Sequence, residues 1–212
     1  MKQFFFALNY GIIGYREAIF MYSLFIDTHD KLVSVILFKD GIILNKFEDS
    51  SLNKHSVITL PAIRDILEKS NILVNDLNEI IVVNGPGSFT GERIAVTIGK
   101  TMAYSLNIPI KVIDSLTILA LNIEGEDKYV ALPDKNGAFV GHFNVNNVPV
   151  DPFVYVSKNE YEELMIKNNI VSDIEIDYSK VYEYVTGISP LNPHEVKPLY
   201  VKGISVLNDK KA

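Results

Sequence analysis

From Tyr22 onward, apolar runs and polar turns succeed one another at spacings that mark out secondary structure. Tyr22 to Asp27 and Leu32 to Phe38 are rich in Leu, Ile, Val and Phe and predict two strands, with Thr28-His29-Asp30-Lys31 as the turn between them. Lys39-Asp40-Gly41 is a hairpin signal, and Ile42 to Phe47 predicts a third strand. After the polar stretch Glu48 to Asn53, Ile58, Ala62 and Ile66 run beside Leu60, Ile63 and Leu67 at helical spacing. They predict a helix from about Asn53 to Ser70. Pro61 lies inside it, and because proline removes a helical hydrogen bond it is expected to end a first turn or kink the helix.

Ile80 to Val83 predicts a short buried strand, Glu92 to Asn107 a helix, Ile108 to Ile113 a strand and Ser115 to Leu121 a further helix. The order β-β-β-α-β-α-β-α implies an α/β sheet that starts antiparallel and continues parallel. Beyond Lys128 the signals change: Tyr129 to Leu132 and Ala138 to Val145 predict strands around Pro133-Asp134-Lys135-Asn136-Gly137. The tail carries most of the prolines and reads as a smaller, less regular lobe. The expected division is therefore an extension over 1–20, an N-terminal lobe over 21–122, and a short C-terminal lobe with its tail over 123–212. No tandem repeat or low-complexity tract is evident.

The first twenty residues begin like a signal peptide, with Lys2 and Phe4-Phe5-Phe6. Asn9, Tyr10 and Gly11 break the apolar run, no small-residue cleavage pattern follows, and the run is too short to span a membrane. They are read as an extension outside the fold that starts at Met21, with a local anchor as the other reading. Composition is that of a soluble globular protein of 212 residues, 48% hydrophobic and 22% charged. A net charge of -6 argues against the isolated chain as a nucleic-acid binder. The absence of cysteine excludes disulfides, thiolate metal sites and a cysteine nucleophile.

The chemistry-bearing candidate is Val82 to Arg93, VVNGPGSFTGER. Gly85, Gly87 and Gly91 permit unusual backbone angles or close approach, Pro86 stiffens the corner, and Ser88 or Thr90 can cap the next helix. A helix N-terminus behind a glycine loop favours an anion. The spacing nevertheless fits neither phosphate fingerprint: Thr90 stands where the dinucleotide motif needs glycine, and Ile94 where the Walker motif does. Three readings stay open, namely a phosphate grip, a packing corner, or a relic of the first kept for the second.

Asp27 and Thr28, ending the first strand, suit a metal or phosphate contact or a plain Asx turn; Asp134 carries the same ambiguity. The histidines His29, His55, His142 and His194 show no metal-binding spacing, and no serine-hydrolase elbow occurs. On the helix after the corner, Ala95, Gly99 and Ala103 form a small-residue stripe beside Ile94, Ile98 and Met102, so two of its faces are expected to be covered. One cover is the sheet; the other is a second helix or a partner chain.

Three stretches, IDTHDKLVSVILFKDGIIL, KHSVITLPAIRDIL and LNEIIVVNGPGSFTGERIAVTIGKTMAYSLNIPIKVIDSLTILA, together with Pro198 to Lys202 (PLYVK), resemble the bacterial TsaB (YeaZ) family. The resemblance runs from Met21 to about Lys202, and ALPDKNG (Ala131 to Gly137) matches only loosely. It implies the ASKHA fold (actin, Hsp70, sugar kinase) with two lobes, the C-terminal one short. It implies a cytoplasmic, non-catalytic scaffold for placing N6-threonylcarbamoyladenosine at position 37 of tRNAs reading codons that begin with A. The implied partners are the catalytic paralogue TsaD and the ATPase TsaE, with a homodimer when alone and tRNA met only through the complex. No cofactor, metal or membrane is implied. Helix geometry and the resemblance together nominate His55, Ile58, Ala62, Arg93, Ala95, Ile98, Gly99, Met102 and Ala103 as a partner interface. Asp27, Thr28, Gly85, Pro86, Gly87, Ser88, Phe89, Thr90 and Gly91 then form a degenerate phosphate-type loop. The competing reading is a standalone ASKHA-type ATPase or kinase, or a metallopeptidase-like enzyme. Against it, Thr59 stands four residues after His55 where a paired histidine would be needed, and no Gly-Gly pair occurs.

Overall fold

A strand of six residues, β1 (Tyr22–Asp27), lies at the centre of a five-stranded sheet and is buried from Ser23 to Asp27. It pairs antiparallel with β2 (Val33–Lys39) and parallel with β4 (Leu77–Val83). Outside these lie β3 (Ile42–Asp49), antiparallel to β2, and β5 (Ile110–Ile113), parallel to β4. The computed structural model describes residues 20–50, 54–168, 170–172 and 174–201. Residues 1–19 of the expected extension over 1–20, the expected helix start at Asn53, and Lys202 with the tail lie outside the described residues.

Both faces of this sheet are covered, which is why its central strands read as unbroken apolar runs. The strand period of two sorts them. Leu24, Ile26, Val35, Leu37, Ile80 and Val82 share one core with α1 (His55–Lys69) and α2 (Phe89–Leu106). Phe25, Ile36, Phe38, Ile81 and Val83 share the other with Ile118 of α3 (Ser115–Leu121) and with α5 (Tyr178–Thr186). The α1 helix continues through Pro61. That residue is exposed, so water can serve the carbonyl that loses its helical donor. α2 starts at Phe89, three residues before the expected Glu92, because Ser88 is its cap and accepts from the Gly91 amide at 3.4 Å.

The second sheet is antiparallel, β6 (Asp127–Pro133), β7 (Gly137–Asn144) and β8 (Val154–Ser157), in that order. Leu116, Leu119 and Ala120 of α3 cover one face, against Val130, Phe139 and Phe143. On the other lie Tyr161 and Leu164 of α4 (Lys158–Lys167). The chain then returns to the first sheet, whereas sequence grouped everything from 123 onward in a second lobe. Tyr178, Val181, Tyr182 and Val185 of α5 join the N-terminal core. Residues 191–201 form a strap: the Leu191 amide donates to Ile110 O at 2.9 Å, and Val196 is sunk in the core beneath α2. The architecture is α/β, with a five-stranded and a three-stranded sheet and a smaller C-terminal part.

Candidate functional site

The glycine corner joins the end of β4 to α2 and lies against the end of β1. Thr28 makes the join: its hydroxyl donates to Gly91 O at 2.6 Å and accepts from the Ala95 amide at 3.1 Å. A Cβ on Gly91 would stand 1.9 Å from Thr28 O, and one on Gly87 2.3 Å from His29 O. Gly85 has φ +104°. These glycines let two backbone segments touch. The amides turn inward as well. Ser88 N donates to His29 O at 2.6 Å, Glu92 N to Ser88 O at 2.9 Å, and the Gly87 amide meets the Glu92 carboxyl. From the other side, Ser115 ties α3 to the corner through Gly85 O (2.9 Å) and Pro86 O (2.6 Å). A phosphate would find these donors already engaged, so the geometry favours the packing corner.

Acids gather around it. Asp27 Oδ1 accepts from the His29 amide at 3.0 Å and meets His29 Nδ1 at 2.6 Å, an Asx turn with an ion pair. Burial pulls the His29 imidazole down, but Asp27, and beyond it Asp30 and Glu92, outweigh this and raise it. Burial pushes the Glu92 carboxyl up to about 7, and its Oε2 has no hydrogen-bond partner. Burial also raises Asp114, which caps α3 through the Thr117 amide at 2.7 Å. Beside Asp27 opens a cleft of about 230 Å³ between the two sheets, walled by Ser34, Leu119, Leu132, Ile176 and Tyr178.

The remaining histidines are engaged elsewhere. His55 Nε2 donates to Asp30 O at 2.7 Å, His194 lies edge-on to Tyr104, and His142 sits between Asp127 and Asp151. Among the described residues no three acidic or histidine side chains converge as a metal site.

Beyond the corner, α1 and α2 lie side by side. The small stripe Ala95, Gly99 and Ala103 is buried against the sheet, as is Ala62. A Cβ on Gly99 would stand 2.2 Å from Val82 Cγ1. Of the expected interface residues, these four are therefore core positions within the chain. Arg93 is exposed, and His55, Ile58, Ile98 and Met102 are half-buried at the outer side. There the two helices enclose a groove of about 420 Å³ lined by Ser56, Leu60, Phe89, Thr90, Arg93, Ile94, Thr97 and Ile98. Val57, Leu60 and Phe89 are 68%, 54% and 53% exposed, a concentration of apolar surface on one face. Sequence reasoning placed Leu60 on the core stripe and Phe89 in the loop. The available signal was that Val57 lies opposite the Ala62-Ile63-Ile66-Leu67 face, while Leu60 stands at its edge beside Leu67.

Comparison with known proteins bears on this arrangement. Residues 49–135 match the family model described as TsaD, tRNA N6-adenosine threonylcarbamoyltransferase. The chain is 38% identical over 102 residues to the tRNA threonylcarbamoyladenosine biosynthesis protein TsaB of Bacillus subtilis, a match covering 48% of this chain and 44% of that protein. It is 35% identical over 100 residues to the Escherichia coli TsaB, covering 47% and 43%. The chain thus spans less than half the length of these curated relatives. YeaZ from Pseudomonas aeruginosa superposes with a TM-score of 0.70 at 18% identity, over 85% of this chain and 99% of that one. A second Pseudomonas aeruginosa structure, described as similar to peptidase YEAZ, gives 0.72 at 17% over 86% and 100%. These structures establish the shared fold, and the sequence matches show that about half of the chain is similar to TsaB proteins.

Proposed function

We propose that this chain is a scaffold subunit in tRNA threonylcarbamoyladenosine biosynthesis. It docks a TsaD-like catalytic paralogue through the outer face of α1 and α2, is joined by a TsaE-like ATPase, and pairs with itself when alone. In this reading it contributes no catalytic group, meets tRNA only through the complex, and works in the cytoplasm. The pathway is that in the names of the TsaB relatives. The observation that carries the docking role is the groove between α1 and α2, with Val57, Leu60 and Phe89 exposed around it. Apolar surface of this kind on a helix pair is the substrate for helix-in-groove recognition. The inward-turned amides of the corner support a structural use of the glycine loop, which sets where α2 begins.

The test is light scattering after size exclusion, on wild type and Leu60→Glu, alone and mixed with the TsaD-family protein of the same organism. Leu60 is exposed, so a charge there leaves the core intact and is taken out of water only on docking. Wild type is expected to form a complex that Leu60→Glu, folded with an unchanged melting temperature, does not form. A wild-type chain that ignores the partner but is stabilised by ATP or a divalent metal would replace the scaffold with the standalone enzyme.

A further inference from the structure

The strap reaches the docking face through Tyr200. The Arg93 guanidinium lies over the Phe89 ring, 3.7 Å from its centroid, and 5.6 Å from the centroid of Tyr200. Arg93 Nε donates to the Tyr200 hydroxyl at 2.8 Å, and the two aromatic rings are 5.6 Å apart. Tyr200 is itself held. The Leu199 amide donates to Asn84 O at 2.8 Å, Asn84 Nδ2 donates to Lys197 O at 3.2 Å, and Lys100 Nζ donates to Val196 O at 3.2 Å. Asn84 is also the first residue of the glycine corner, so the corner fixes both the start of α2 and the strap that meets it.

Among the described residues, Arg93 is the one charged side chain lining the groove, beside Leu60, Phe89, Ile94 and Ile98. Among the described residues no carboxylate lies within ion-pair distance of it, whereas Arg64 on α1 pairs with Asp65 at 3.0 Å. An arginine with its guanidinium stacked on a ring and its Nε engaged keeps its terminal NH₂ groups for a further acceptor in a restricted orientation.

We infer that the strap is part of the docking site, with Tyr200 positioning Arg93 to meet a carboxylate on an amphipathic helix of the partner protein lying in the α1/α2 groove. This rests on the docking role proposed above. A furrow between two packed helices suits the ridge of a third. Its apolar walls call for apolar anchors, and the single cation at its rim calls for one acid. A nucleic-acid backbone fits less well, because phosphate binding draws on several cations at once.

The experiment is calorimetric titration of the TsaD-family protein into wild type, Arg93→Met, Tyr200→Phe, the double variant and Leu60→Glu, at low and high salt. Arg93→Met removes the guanidinium while keeping an unbranched apolar side chain, and is expected to weaken binding by about 30-fold or more, the usual consequence of truncating one partner of an interfacial charge pair. Tyr200→Phe keeps the ring and is expected to weaken it by about 3- to 10-fold, the worth of one hydrogen bond. In the Arg93→Met background Tyr200→Phe is expected to add nothing, since it acts through Arg93. Raising salt is expected to weaken wild type more than Arg93→Met. If Arg93→Met binds within about twofold of wild type while Leu60→Glu does not bind, docking stands and this inference falls. If Leu60→Glu binds like wild type, the docking role itself falls. If Arg93→Met loses affinity for an unmodified tRNA transcript and keeps it for the protein, Arg93 serves RNA and the inference is overturned.

Discussion

Replacing Gly91 with alanine isolates the close approach on which the corner depends. Gly91 lies in the first turn of α2 with ordinary helical backbone, so alanine changes the space and not the permitted angles. Its Cβ would stand 1.9 Å from Thr28 O, whereas a relaxed carbon–oxygen contact is about 3.3 Å. The end of β1 and the start of α2 must therefore part by roughly 1.4 Å. Such overpacking costs about 1–3 kcal/mol. The movement also disturbs both bonds of the Thr28 hydroxyl, to Gly91 O and from the Ala95 amide, at about 1 kcal/mol each. Alanine returns up to about 1 kcal/mol of helix propensity, leaving a net loss of about 2–4 kcal/mol. Urea unfolding at pH 7 reads this directly. Gly187→Ala is the control, since its Cβ would meet only Tyr184 O at 3.5 Å, and it is expected to be neutral or slightly stabilising. If Gly91→Ala unfolds within about 0.5 kcal/mol of wild type, the corner yields easily and the packing argument is wrong.

Two pH effects follow from the structure. Burial raises Glu92 from 4.5 to about 7, so its contribution to stability is complete below 4.5 and is lost as pH rises through about 7. At 1.36 kcal/mol per pH unit the ceiling is about 3 kcal/mol, and partial hydration of the carboxyl reduces this to about 2. Glu92→Gln is expected to flatten this slope and to gain on wild type as pH rises; parallel stability curves for the two would refute it. His142 meets Asp127 through Nε2 and Asp151 through Nδ1 at 3.0 Å while stacked on Tyr129, and its hydrogen bonds to Asp127 and then Asp151 raise its pKa above the ordinary 6.5. That stabilisation is present below 6.5 and is lost as pH rises through the raised value. An NMR titration is expected to show a later His142 midpoint in wild type than in Asp151→Asn, and coincident midpoints would contradict the clamp.

Much of the first lobe was legible because both layers of the sheet obey simple periods. Leu24 and Ile26 alternate with Phe25, and the hairpin turn at Asp40 and Gly41 falls where its residue types demand. The return of the tail was not legible from composition, since prolines at 190, 193 and 198 look irregular while the strap they punctuate is held by contacts far away in sequence. The spacing of Tyr178, Val181, Tyr182 and Val185 did mark a helix face, but sequence alone does not say which sheet it covers. The same limit applies at α2. A small-residue stripe announces a close neighbour without naming it, and here the neighbour of Gly99 is Val82. A Gly99→Leu substitution therefore tests the core and not an interface. What sequence did locate was the pair of helices. Which of their faces looks outward depended on packing, and Arg93 and Ile98 fall on that face while Ala62, Ala95 and Ala103 do not.

The docking role is tested most directly by backbone hydrogen exchange on this chain, alone and saturated with the TsaD-family protein. The account expects slowed exchange in α1 and the first turns of α2, around Leu60, Phe89, Arg93 and Thr97, and in the strap at Leu199 and Tyr200. The second sheet is expected to exchange unchanged. Protection confined to β6, β7 and α4, with the α1/α2 face exchanging as in the free chain, would contradict it.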